Sequence, residues 1–220
     1  MIVAIDGPAG AGKSTVARRL AERLGIGYLN TGSMYRALTL LAQRTGVAPE
    51  DEDALAALAR THRIALTAGP TGERVHLDGE DVTDAVRAPA VTAAVSDVAR
   101  HKAVRAEIVA LQQAVLRSGD WVADGRDIGS VVSPDADVKV FLTAEPEVRA
   151  ARRHAELIAG GDEVELGDVL QDIVRRDAID SERDESPLVV ATGAVVVDSS
   201  ERSIDDVVAQ IARLVGSDDA

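Results

Sequence analysis

The chain has 220 residues, 46% of them hydrophobic, and its 37 acidic against 24 basic residues give a formal net charge of −13. That length and apolar share suit one substantial core with small inserted lobes, and the acidic balance argues against a nucleic-acid partner. With no cysteine, a disulfide framework and a thiolate site are excluded, and zinc would have to rely on four scattered histidines, so a structural metal is discounted; no apolar run approaches the roughly 20 residues that cross a bilayer, so a cytoplasmic chain without a membrane partner is expected, a monomer by default.

The first element is the apolar run 2–5, read as a strand that ends at Asp6. GPAGAGKS at 7–14 follows at once, and a helical pattern with Val16, Ala17, Leu20 and Leu24 runs on to Gly25. Strand, glycine-rich loop and helix in that order form a phosphate-binding loop. Glycines let the backbone turn and bring N–H groups close to phosphate oxygens, and the helix N-terminus adds unpaired donors and a positive dipole end. Lys13 reaches the outer phosphates as a point charge, and the Ser14 hydroxyl is placed to ligate Mg2+. The residues Gly7, Pro8, Ala9, Gly10, Ala11, Gly12, Lys13, Ser14 and Thr15 are therefore assigned to a nucleoside triphosphate.

Tyr28 and Leu29 form a short second strand, and 31–33 leads into an apolar-periodic helix over 34–44 stopped by Gly46. Residues 53–61 read as helix. Over 63–83 the pattern changes to short alternating runs, 63–67 and 73–77, separated by GPTG and followed by Asp78-Gly79, which predicts a small antiparallel β insert. One long amphipathic helix is expected over 91–117. Buried strands return at 121–123, 138–142 and 194–197, with helices over 145–158, 167–180 and 203–214, the last capped by Ser203. The glycine-containing stretch 159–167 reads as a mobile connection. The whole is α/β, with ligands expected where strand ends meet polar residues.

Local arginines must bind the anions of so acidic a chain, since exposed charges beyond roughly 8 Å are screened at physiological salt. Arg18, Arg19 and Arg149 read as solvated helix faces, whereas Arg152-Arg153 and Arg175-Arg176 with Arg183 are divided between site and surface. Asn30 to Arg36 sets hydroxyls and an arginine at a helix start, suited to a second anionic group or to an ordinary cap. Asp124-Gly125-Arg126-Asp127 places charges at a central strand end, where packing disfavours them and a site favours them. Residues 176–183 are equally consistent with a salt-bridged exposed helix.

Together these segments resemble the bacterial cytidylate kinase family: IDGPAGAGKST at 5–15, TGSMYR at 31–36, the β insert, ADGRDIG at 123–129, RDAIDSERDESPL at 176–188 and VVVDSS at 195–200 match in order and spacing along nearly the whole chain. The resemblance implies a P-loop nucleoside monophosphate kinase fold: a parallel five-stranded core sheet flanked by helices, an antiparallel β insert in the monophosphate-binding lobe, and a lid. It divides a single domain of 1–220 into core (1–30, 88–150, 190–220), monophosphate-binding lobe (31–87, insert at about 63–87) and lid with flanking helices (151–189). It further implies transfer of the γ-phosphoryl group of ATP to CMP or dCMP, with Mg2+ as cofactor.

On that resemblance Thr31 contacts base or sugar and Tyr35 lines the same site. Arg36 clamps the acceptor phosphate; Ser96, Arg105 and Asp127 read the cytosine edge; Asp180 and Arg183 hold the pentose. Lys13, Arg126, Arg152, Arg153 and Arg176 are the candidates for stabilising the transferred phosphoryl group. Two stretches depart from the family: residues 162–165 make the lid tip acidic, and Ala178-Ile179 stand where charged residues are expected. An adenylate or shikimate kinase would share loop and fold without the insert, Arg105 and Asp127. A regulatory GTPase is disfavoured because Asn30 is the only asparagine and NKxD is absent, and a motor ATPase because no transporter signature appears.

Overall fold

The computed structural model describes residues 1–69 and 72–216, with the side chains of all of these except 68, 69 and 72. In chain order the elements are β1 (Ile2–Asp6), α1 (Lys13–Leu24), β2 (Gly27–Asn30), α2 (Thr31–Thr45), α3 (Glu52–Thr61), β3 (Ile64–Gly69), β4 (Gly72–Leu77), β5 (Glu80–Asp81), α4 (Pro89–Ala99), α5 (Lys102–Leu116), β6 (Trp121–Gly125), β7 (Val138–Thr143), α6 (Pro146–Ala159), α7 (Leu166–Glu182), β8 (Val195–Asp198) and α8 (Ile204–Leu214). A 3₁₀ turn lies at Ala85–Arg87 and a π-helical turn at Ile128–Val132. Two compact units result: Met1–Gly27 with Asp120–Ala220, and Tyr28–Gly119.

The core sheet has five strands in the order β2-β6-β1-β7-β8. β1 pairs in parallel with β6, Asp6 opposite Gly125, and with β7, Ile5 opposite Val140; β7 pairs in parallel with β8. A central parallel strand is covered on both faces, which is why Val3, Ala4 and Ile5 form an unbroken apolar run with no exposed surface. In the first unit α1 packs on α8, burying Val16, Ala17 and Leu20 on one helix and Val207, Ile211 and Ala212 on the other. Each fully buried leucine or isoleucine there contributes about 1.5–3 kcal/mol. Ser203 caps α8 as expected, accepting from Asp206 N at 3.1 Å, and Gly25 closes α1 in the left-handed region. This order puts the loop after β1 in the middle of the sheet's carboxyl edge, the position where open α/β sheets bind ligands.

In the second unit the insert is a three-stranded antiparallel sheet, β3-β4-β5, with Leu66 opposite Val75. Pro70 and Thr71, half of the GPTG turn, lie outside the described residues. The helix after strand β2 starts at Thr31 rather than 34, because Asn30 caps it by accepting from Ser33 N at 3.2 Å.

The single helix expected over 91–117 is instead two. α4 ends at Ala99 and α5 begins at Lys102, with His101 extended between them (φ −71°, ψ 129°). The break is held by contacts distant in sequence: the His101 ring lies 2.7 Å from Pro49 O, and Ala103 N donates to Glu52 Oε1 at 2.7 Å. Apolar periodicity continues on both sides, through Val91, Val95 and Val98 and then Val104 and Ile108, so the interruption leaves no mark in the pattern. Ser96 and Arg105 therefore stand on different helices.

Candidate active site

Residues 7–12 connect β1 to α1 as a loop that glycine makes possible. Gly7 has φ +151°, and a Cβ there would lie 2.0 Å from Leu142 O, so the strand can approach β7 only without a side chain. Gly12 precedes α1 with φ 86°, and no side chain among the described residues caps that helix end. Its first-turn N–H groups and dipole accordingly favour an anion. Lys13, 6% exposed, donates from Nζ to Pro8 O at 2.7 Å. Burial, and then the like charge of Arg126, push its ammonium down to about 7, against the attraction of Asp124, Asp180 and Asp6.

Ser14 Oγ donates to Asp124 Oδ2 at 2.8 Å. Asp124 is the penultimate residue of β6 and is buried. A hydroxyl and a carboxylate side by side at a phosphate loop are hard oxygen donors suited to Mg2+, which keeps waters and substrate oxygens and does not need an all-protein cage. No cluster of three or more His, Cys, Asp or Glu side chains able to hold a metal occurs among the described residues. Asp124 belongs to a quartet that sequence singles out, yet its pairing with Ser14 depends on the β1–β6 register and is not visible in the motif.

The same edge of the sheet carries further charged groups. Asp6, 3% exposed, accepts from Ile128 N at 2.7 Å and Gly129 N at 2.8 Å. Burial pushes its carboxyl up to about 6 in spite of these two bonds. The carboxylate thereby holds the start of the π-turn that directly follows Asp127, itself 5% exposed. Arg126 Nε donates to Asp180 Oδ2 at 2.8 Å, and Arg183 Nη1 lies 3.6 Å from Asp180 Oδ1. Burial alone would raise Asp180, but the guanidinium groups of Arg126 and Arg183 hold it below the usual carboxylate range. Arg176, one helical turn before Asp180, is mostly buried and 3.9 Å from Asp172; burial and the neighbouring Arg126 lower its pKa, and its Nε meets no acceptor among the described residues.

Arg152 and Arg153 lie on α6, Arg153 near enough to Arg176 for its charge to lower that pKa, and Arg152 linked to the phosphate loop through Ser199, whose Oγ donates to Ala11 O at 3.3 Å. Arg152 donates to Ser199 O at 2.6 Å and Ser199 Oγ at 3.0 Å, at the end of β8, and Arg153 pairs with Glu156 along exposed α6. Arg18 and Arg19 are exposed as expected, but Arg149 is not: it is 5% exposed and bonded to backbone, a correction that only the tertiary packing of α6 reveals.

The second unit gathers the remaining candidates on α2, α4 and α5. Thr31 and Ser96 are buried, and Arg105 places its guanidinium carbon 5.4 Å from the centre of the Tyr35 ring while donating to Ala99 O at 3.2 Å. Arg36 donates to Val86 O at 3.1 Å and Thr92 Oγ1 at 2.8 Å. Glu73, on β4, takes Asn30 N at 3.0 Å and the Ser33 hydroxyl at 2.9 Å, so the insert fixes the start of α2.

The sequence model for cytidylate kinase matches residues 3–217. The chain belongs to the cytidylate kinase family. A curated cytidylate kinase of Geobacillus kaustophilus is 51% identical over 97% of this chain and 95% of its own, and one of Pelotomaculum thermopropionicum is 50% identical over 98% and 96%. Among solved structures, a gluconokinase of Sinorhizobium meliloti has a TM-score of 0.51 at 16% identity, covering 97% of this chain and 90% of that one. A shikimate kinase of Bacteroides thetaiotaomicron also has a TM-score of 0.51, at 12% identity over 98% of each chain. These two show that the fold of the cytidylate kinase family member described here is shared with other small-molecule kinases.

Proposed function

We propose that this chain transfers the γ-phosphoryl group of ATP to CMP or dCMP, giving ADP and CDP or dCDP, as a cytoplasmic enzyme of pyrimidine nucleotide metabolism that acts as a monomer. The observation that carries the reading is electrostatic: Lys13 of the phosphate loop lies in the field of Arg126, Asp124 and Asp180, so the donor-gripping lysine and the arginine–carboxylate cluster belong to one site. Residues 7–15 hold the triphosphate, with Ser14 contributing to Mg2+ and Asp124 orienting the Ser14 hydroxyl. When bound, the metal neutralises phosphate charge and aligns donor oxygens.

The chain's own work is positioning and charge stabilisation, since phosphoryl transfer spreads negative charge over the moving group. Arg126, oriented by Asp180, and Arg176 are the cations on the same edge as Lys13, and Arg152 and Arg153 complete the candidate set from α6. Asp180 and Arg183 hold the pentose. Thr31, Tyr35 and Arg36 receive the acceptor's sugar and phosphate. Cytosine offers an amino donor beside ring acceptors, so Asp127 accepts from the amine while Ser96 and Arg105 donate; uracil reverses the first contact. The subdivision into core, monophosphate lobe at 31–87 and lid at 151–189 follows the same reading. A coupled assay with ATP–Mg and CMP, dCMP, UMP or AMP tests it: CMP and dCMP should turn over at least about a hundredfold better by kcat/KM than AMP. Acceptor-independent hydrolysis as the main activity would refute it.

A further inference from the structure

Both backbone polar groups of one phosphate-loop residue, Ala9, are taken by a single largely buried ion pair. Arg149 Nη1 donates to Ala9 O at 2.9 Å and to Asp177 Oδ2 at 2.5 Å, while Asp177 Oδ1 accepts from Ala9 N at 3.2 Å. Arg149 Nε donates to Ala144 O at 2.8 Å, which anchors the guanidinium at the end of β7. The pair is shielded, with side-chain exposures of 6% and 20%. The next residue is equally constrained: a Cβ on Gly10, whose φ is +76°, would lie 3.1 Å from Arg149 Cβ and 3.4 Å from Ile173 Cδ1. Ala150, Val169 and Ile173 close the space between α6 and α7, so the two helices that carry the pair are themselves packed together.

We infer that Arg149 and Asp177 are positioning residues for donor binding, fixing the Ala9–Gly10 stretch of the phosphate loop and coupling it to α6 and α7. Arg149 has two tasks in this arrangement. It holds the Ala9 carbonyl, and it neutralises Asp177, whose carboxylate sits against the loop that must receive a polyanion. Asp177 is one residue from Arg176 and three from Asp180, so one helical stretch fixes the loop, orients Arg126 and supplies a phosphate-facing cation. The inference rests on the proposed donor site but not on the identity of the acceptor.

The test measures binding of ATP–Mg by titration calorimetry without acceptor, together with KM for each substrate and Tm, for wild type, Arg149→Met, Asp177→Asn and the double variant. Losing a charge-assisted clamp and exposing Asp177 should weaken ATP by about ten- to a hundredfold in Arg149→Met, with KM for CMP within about twofold. Asp177→Asn keeps an acceptor for Ala9 N and removes the charge, so the double variant should bind ATP more tightly than Arg149→Met alone. Equal loss for ATP and CMP, or a double variant weakened by the product of both single losses, would overturn the inference. Should Arg149→Met fail to fold, Arg149→Lys keeps the charge but cannot span Ala144, Ala9 and Asp177; unchanged ATP binding in that folded variant also overturns it. Failure of the acceptor panel in the wild type would refute the proposed reaction while leaving these ATP affinities readable.

Discussion

On the proposed donor site, Lys13 makes proton uptake a measurable part of nucleotide binding. Its folded pKa of about 7 lies below the ordinary 10.5 because burial and Arg126 disfavour the ammonium. At pH 8 about nine-tenths of the lysines are therefore neutral in the empty loop, and about half at pH 7. A triphosphate restores the charge, so binding ATP–Mg should take up about 0.9 proton at pH 8 and about 0.5 at pH 7. Asp6, with its carboxyl at about 6, contributes little at pH 8, and the phosphates, whose second ionisation lies near about 6, are then fully ionised. By linkage, ATP affinity falls about fiftyfold between pH 7 and pH 9. Calorimetry in two buffers of different ionisation enthalpy gives the proton number directly, with Lys13→Met as the control that abolishes it. Less than about 0.2 proton at pH 8 would refute the buried, largely neutral lysine. The sign for stability is also fixed: a depressed lysine pKa contributes stability above about 10.5 that is lost as pH falls toward 7. Lys13→Met should consequently abolish most turnover and raise stability at pH 7 by up to roughly 4 kcal/mol in urea unfolding.

Two further outcomes follow from the carboxylates. Asp127→Ala should raise KM for CMP by at least about tenfold while leaving KM for ATP within about twofold, because only the acceptor loses a hydrogen-bond partner; equal changes in steady-state assays would remove Asp127 from the base site. Asp6 has a raised pKa, so the stability it contributes is complete below about 4 and is lost as pH rises through about 6. The stability of wild type minus that of Asp6→Asn, from urea unfolding, should accordingly fall by about 2 kcal/mol between pH 4 and pH 7, and a flat difference would contradict the burial of this carboxylate.

Much of this was legible in the chain because local rules and tertiary demands agree. The run 2–5 is apolar throughout because β1 is covered on both faces, and GPAGAGKS needs its glycines where φ is positive. The alternating runs of the insert form strands within a residue or two of their expected limits. What stayed hidden depends on partners far along the chain. Nothing near Arg149 distinguishes it from Arg153, one turn further along the same amphipathic helix, yet one is bonded to Ala9 and the other to Glu156. The break at His101 is made by Pro49 and Glu52, some fifty residues away. Asp6, which ends a strand in the sequence pattern, turns out to hold the backbone after Asp127.

The acidic composition poses the problem of how such a chain receives two polyanions, and the arrangement at the sheet's carboxyl edge answers it. Four carboxylates there are each engaged by a group they position: Asp6 by two N–H groups of the π-turn, Asp124 by the Ser14 hydroxyl, Asp177 by Arg149, and Asp180 by Arg126. A carboxylate bonded in this way sets the direction of a donor or cation and has its field partly cancelled at short range, while the remaining surface charge is screened within roughly 8 Å at physiological salt. Net charge and local potential are thereby separated. Removing one of the pairing cations should harm anion binding more than removing a solvated one, because it exposes a buried negative charge as well as deleting a positive one. Arg149 and Arg153 on the same helix supply that contrast, the first against a largely shielded carboxylate and the second against an exposed one.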